Sequence, residues 1–162
     1  MSILQIAIGL MISGIIAAAS IVGGESMIHA AKVSSIKTAI LAVSQKSIEY
    51  AQIKGSYNGL SCSGLQGQNL ETVNGCATGT GYPSGGAFKS ILSEGTMTVN
   101  GNPQPPAQNA GSGYIISFIP SDASLTLQDC QVIAGSLASS LANNPLSRAC
   151  STTPWRFEYG TQ

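Results

Sequence analysis

The side chains best suited to bind a metal, exchange disulfides or move protons near neutral pH are few in this sequence: one histidine, His29, and four cysteines, Cys62, Cys76, Cys130 and Cys150. A structural zinc site needs closely spaced ligand pairs, and no two cysteines stand in a CxxC arrangement, while His29 lies far upstream of all four. An even number of cysteines confined to the part of the chain after residue 60 reads instead as a disulfide framework built in an oxidising compartment. Three pairings are possible. Cys62 with Cys76 and Cys130 with Cys150 close the shortest loops and form the expected set, each bridge stabilising by about 3 kcal/mol on the chain-entropy account.

Proton chemistry finds little support. A single histidine cannot serve a nucleophile and its orienting acid when it sits on an amphipathic helix, so His29 reads as a surface or subunit-contact residue. Glu25, Glu49, Glu71, Glu94, Asp122, Asp129 and Glu158 are scattered, and neither GxSxG, a phosphate-binding glycine loop nor HExxH occurs. The expectation is no catalytic residue, no cofactor and no metal. Trp155 reads as a core or edge-strand aromatic. Seven Lys and Arg balance seven Asp and Glu, and only 9% of the 162 residues are charged, which gives no electrostatic case for nucleic acid or for an anionic membrane surface.

The chemistry that remains is that of assembly, and it begins with the elements. From Met1 to Val22 there is no charge, and the only polar side chains are Ser2, Gln5, Ser13 and Ser20. Such a segment, about 33 Å long as a helix, must be buried in lipid or protein and is long enough for a bilayer core of about 30 Å. No basic residue precedes Lys32, which argues against a secretory signal peptide and for a mature chain already freed of its leader. Gly9, Ser13, Gly14, Ala17, Ala18 and Ala19 are small and spaced for close helix–helix approach, and Gln5 needs a polar partner. Gly23 and Gly24, each costing about 1 kcal/mol relative to alanine, are expected to melt or interrupt the helix.

From Glu25 to Lys54 the pattern turns amphipathic: Met27, Ile28, Ala31, Ile36, Ala39, Ile40, Val43, Ile48, Ala51 and Ile53 recur at helical spacing, and Gly55 suits the left-handed position past a helix end. Residues 55–86 read as a long stapled loop with Asn58-Gly59 and Asn74-Gly75 turns. Ala87 to Ser93 reads as a short helix, Thr96 to Asn100 and Tyr114 to Ile119 as strands, and Trp155 to Tyr159 as a last strand. Thr126 and Asp129 form a capping-box pattern with Leu125 as staple, starting a helix from Leu127 to Ala142 that presents Leu127, Cys130, Ala134, Leu137 and Leu141 on one face. The expected fold is α+β: a long N-terminal helix, interrupted near Gly23-Gly24, whose second half packs on a small antiparallel head with a second helix. Residues 1–24 form a hydrophobic helix and residues 25–162 the head.

With the apolar Met1 to Val22, the amphipathic continuation to Lys54, Gly-Ser-Tyr-Asn-Gly-Leu at 55–60 and the Cys130 to Cys150 segment, the chain resembles the type IV pilins, most closely the type IVb branch of toxin-coregulated, bundle-forming and conjugative-plasmid pilins. The resemblance implies a non-enzymatic structural subunit, held in the inner membrane, cut by a prepilin peptidase, methylated at Met1, and polymerised by assembly machinery into a homo-oligomeric extracellular pilus. Gln5, Gly9, Ser13, Gly14 and Ala17 would then lie in the filament core, and the polar loops at 63–86 and 100–113 would meet other subunits or a host. The family usually carries glutamate at the position of Gln5. A minor pilin or secretion pseudopilin shares this architecture, and a membrane-anchored periplasmic binding domain is the alternative of another class.

Overall fold

A computed structural model of the chain describes the backbone of residues 3–70, 75–101, 113–138, 148–150 and 157–161, and the side chains of residues 26–70, 75–101, 113–137 and 150. The protein is α+β and divides into two compact units, Met1–Ser34 and Ser35–Gln162. The first unit is the N-terminal part of helix α1, which spans Ile3–Lys54. The expected interruption at Gly23 and Gly24 is absent: α1 runs through both. Glycine weakens a helix by its backbone entropy but keeps its N–H, unlike proline. Two glycines between Ala17-Ala-Ala-Ser-Ile-Val and Glu25-Ser-Met-Ile therefore leave the cooperative hydrogen-bond ladder intact.

Within the second unit α1 buries one stripe, Ile36, Ile40, Val43, Ser47 and Tyr50, spaced by four, three, four and three residues, with Ser44 beside it. This stripe corrects the expected face. Ile48 and Ile53 point away from it and are exposed, whereas Ser44, Ser47 and Tyr50 are buried. The helix stops where expected, at Gly55, whose φ of 74° is open to glycine and whose N–H donates to the Ala51 carbonyl at 2.8 Å.

The stretch expected to be an unbroken loop contains structure. Helix α2, Cys62–Gly67, starts at Ser61, whose hydroxyl accepts from the Gly64 N–H, and it buries Cys62 and Leu65. Strand β1, Cys76–Ala77, pairs antiparallel with β2, Ala87–Phe88. The expected helix over Ala87 to Ser93 is thus only a 3-10 turn, Lys89–Ile91, entered from β2. Pairing of Phe88 with Cys76 and donation by the Lys89 N–H to the Gly75 carbonyl at 3.2 Å claim the residues that would have formed its first turn.

The main sheet contains β3, Gly95–Asn100, β4, Tyr114–Pro120, β5, Arg148–Ala149, and β6, Phe157–Thr161, in the antiparallel order β3-β4-β6-β5. Met97 faces Phe118 across β3 and β4, and Ile116 faces Tyr159 across β4 and β6. Alternation puts Met97, Val99, Tyr114, Ile116 and Phe118 in the core. The last strand begins two residues later than Trp155, which lies outside the described residues, and β5 had no sequence signal long enough to mark it.

Helix α3, Leu127–Ala138, opens with the capping pattern read from sequence. The Asp129 carboxylate accepts from the Thr126 N–H at 2.7 Å and from its hydroxyl at 2.8 Å. Its buried face is Cys130, Ile133 and Leu137, with Leu125 ahead of it. Leu127, assigned to that face by periodicity, is instead exposed, because the first residue of the helix precedes the turn that meets the core. Residues 139–142, the expected end of this helix, lie outside the described residues.

Candidate assembly and contact surfaces

The residues that the sequence singles out for assembly lie in the N-terminal part of the chain. Met1 lies outside the described residues. Gln5, Gly9, Ser13, Gly14, Ala17, Gly23 and Gly24 lie on the helical backbone of α1, with side chains outside the described set. The first described side chains of α1 expose large apolar groups, Met27 at 76% and Ile28 at 60%, while His29 and Lys32 are half-buried and have interaction partners. Among the residues whose side chains are described, no helix is long and apolar enough to cross a membrane; the apolar Met1 to Val22 precedes them.

In the second unit both cysteine pairs are bridged, each with 5.8 Å between α-carbons. Cys62–Cys76 ties the start of α2 to β1, and both of its residues are buried. Cys130–Cys150 ties the fully buried Cys130 of α3 to the residue that follows β5. Cys150 has φ of 67°, a left-handed conformation that a β-carbon makes costly by roughly 1–3 kcal/mol and that the bridge holds in place.

The loop between β1 and β2 is the clearest uncharged surface. From Thr78 to Ser84 every residue is exposed, and none carries a charge. Tyr82 stands out of it, held by donation of its N–H to the Gly79 carbonyl at 3.1 Å. The base is fastened to α2, since both the N–H and the hydroxyl of Ser63 donate to the Gly85 carbonyl, at 3.0 and 3.2 Å. Of the other expected contact loop, 100–113, only Asn100, Gly101 and Gly113 fall within the described residues.

The described carboxylates are spent on local structure. Glu49 pairs with Lys46 at 2.6 Å, Glu94 accepts from the Ser93 hydroxyl at 2.6 Å, Asp122 accepts from the Ser124 N–H at 2.8 Å, and Asp129 caps α3. Among the described residues no three His, Cys, Asp or Glu side chains gather as a metal would require.

One polar cluster was not legible beforehand. The fully buried Tyr114 of β4 shares a 2.6 Å hydrogen bond with Ser44 of α1, and its ring lies 5.1 Å from that of Tyr57. Burial pushes the Tyr57 phenol above its ordinary value near 10.0. Tyr50 donates to the Asn58 carbonyl at 3.1 Å, and Ser47 back-bonds to the Val43 carbonyl at 2.7 Å. The heptad-like spacing from Ile36 to Tyr50 was the available signal, hidden because serine is not counted as a core residue. Neither a protein-family model, a curated protein nor a solved structure matches the chain.

Proposed function

We propose that this chain is the structural subunit, the major pilin, of an extracellular type IVb-like filament, polymerising through its N-terminal helix. The observation that supports the reading best is that one helix, Ile3–Lys54, joins a charge-free sequence to a half whose stripe from Ile36 to Tyr50 is buried on a disulfide-stapled α+β head. A globular domain has no use for a helix apolar on all sides unless lipid or neighbouring copies surround it. In this reading the pilin-like subunit waits in the inner membrane, prepilin peptidase exposes Met1 for methylation, and the assembly machinery moves the apolar segment from lipid into a bundle of identical helices. Gly9, Ser13, Gly14 and Ala17 permit close approach there, and the loop carrying Tyr82 faces outward.

Gln5 supports a second reading, that of a minor pilin. An amide can hydrogen-bond a neighbour's terminal amine but cannot neutralise it, so a position with few such neighbours suits it better. Electron microscopy of sheared surface material, with mass analysis of its main protein, tests both. Thin filaments made chiefly of this chain, beginning at a methylated Met1, support the major pilin. A trace amount in filaments of another protein supports the minor one, and a monomer recovered only in detergent would sink both in favour of a membrane-anchored domain.

A further inference from the structure

The chain has Asn-Gly pairs at 58–59, 74–75 and 100–101. Asn74 lies outside the described residues; Asn58 and Asn100 are both exposed, but the glycines that follow them sit in opposite environments, Gly59 exposed and Gly101 buried. Asn58 is exposed at the turn after α1, and neither its side-chain amide nor the Gly59 N–H makes a hydrogen bond among the described residues. Gly59 has no β-carbon to shield its nitrogen and sits at φ 76°. At the end of β3, by contrast, the Gly101 N–H donates to the Leu60 carbonyl at 3.1 Å, and Gly101 is buried so tightly that a β-carbon there would strike the Tyr57 carbonyl and come within 2.7 Å of Leu60 Cβ.

We propose that Asn58 is a site of spontaneous modification, deamidation through a cyclic imide, from which the fold protects Asn100. The Gly59 backbone nitrogen attacks Cγ of Asn58, the Cγ–Nδ2 bond breaks, and ammonia leaves with the proton that Gly59 gives up. Water then opens the five-membered imide at one of its two carbonyls, giving aspartate at the side-chain carbonyl or isoaspartate at the main-chain one. No electrons are exchanged. To bring the nitrogen to Cγ, the 58–59 peptide must rotate, loosening at the surface both the bond from the Tyr50 hydroxyl to the Asn58 carbonyl and the turn bond from the Leu60 N–H to the Tyr57 carbonyl, each 3.1 Å. At Asn100 the attacking nitrogen must itself leave a hydrogen bond inside a packed site. The product matters structurally because Leu60 accepts from Gly101 while closing the 57–60 turn. Isoaspartate adds one methylene to the main chain between α1 and α2, where Gly101 leaves no slack against Tyr57.

The test incubates the folded, oxidised protein in mildly alkaline buffer and follows Asn58 and Asn100 by peptide mapping and by enzymatic isoaspartate methylation. The fully denatured, reduced chain gives the reference, in which two Asn-Gly pairs should react at similar rates. In the folded protein Asn58 is expected to react at least about tenfold faster than Asn100, because the nitrogen that must be freed is exposed to water at Gly59 and buried at Gly101, where an unmade bond is costly. The Asn58→Gln variant, whose longer amide closes a ring poorly, should lose the signal at 58 with unchanged circular dichroism. Equal folded rates, faster reaction at Asn100, or no isoaspartate at 58 would overturn the proposal.

Discussion

The two long helices that meet the sheet are fastened by different means. Helix α1 brings a stripe from Ile36 to Tyr50 onto the head, holds it with side-chain hydrogen bonds between Ser44 and Tyr114 and from Tyr50 to the Asn58 carbonyl, and carries no cysteine. Helix α3 has twelve residues, near the length below which a helix is marginal by itself, and it relies on a cap at one end and a disulfide in its first turn. Its outer side, with Leu127 at 48% and Val132 at 55% exposed, contributes nothing to the core. Length allows α1 to be held by packing and a few side-chain hydrogen bonds; α3 adds a covalent bond and a capping carboxylate.

Mutations can break this contrast, beginning with the largest effect. Ile40→Ala empties a fully buried position of α1 and should cost about 2–5 kcal/mol in a denaturant titration, unfolding the second unit as a whole. Replacing Cys130 and Cys150 together by alanine should cost about 3 kcal/mol, with amide exchange rising first in α3 while α1 beyond Ser35 stays protected. Equal loss of protection in both helices would show that the bridge staples the whole unit rather than α3. Ser44→Ala removes the hydroxyl that shares the 2.6 Å bond with buried Tyr114 and should cost roughly 1–3 kcal/mol, and adding Tyr114→Phe to it should cost less than Tyr114→Phe does alone. Asp129→Ala removes the acceptor of both Thr126 bonds and should cost about 1 kcal/mol, visible mainly as fraying of the first turn of α3.

Sequence reasoning worked where the signal was local. Gly55 at the end of α1, the pairing of Thr126 with Asp129, and the β-branched and aromatic run of β4 each declare themselves within a few residues. It failed where a distant partner decided. Helix α2 has two glycines in six residues, and Ser-Cys-Ser-Gly reads as loop; its place comes from the Ser61 cap, the bridge to Cys76 and the burial of Leu65. Ala87 and Phe88 have helical neighbours in sequence, but β1 supplies a strand to pair with. Serine at 44 and 47 looks like a helix surface until a buried tyrosine hydroxyl across the interface needs a partner. For the assembly segment the legible part was chemical, its lack of charge; α1 runs through Gly23 and Gly24 because glycine weakens a helix without removing its N–H.

The bond between Ser44 and Tyr114 also sets the axial position of α1 on the sheet. Displacing the helix by four residues, about 6 Å at the usual rise, presents Ile40 or Ile48 to the phenol, and neither can bond it. The stripe repeats in steps of four and three and would tolerate such moves, and Ser47, three residues on, already spends its hydroxyl on the Val43 carbonyl. A pull along the helix would therefore meet a notch, since it must break the bond between Ser44 and Tyr114 before the stripe can find another seat.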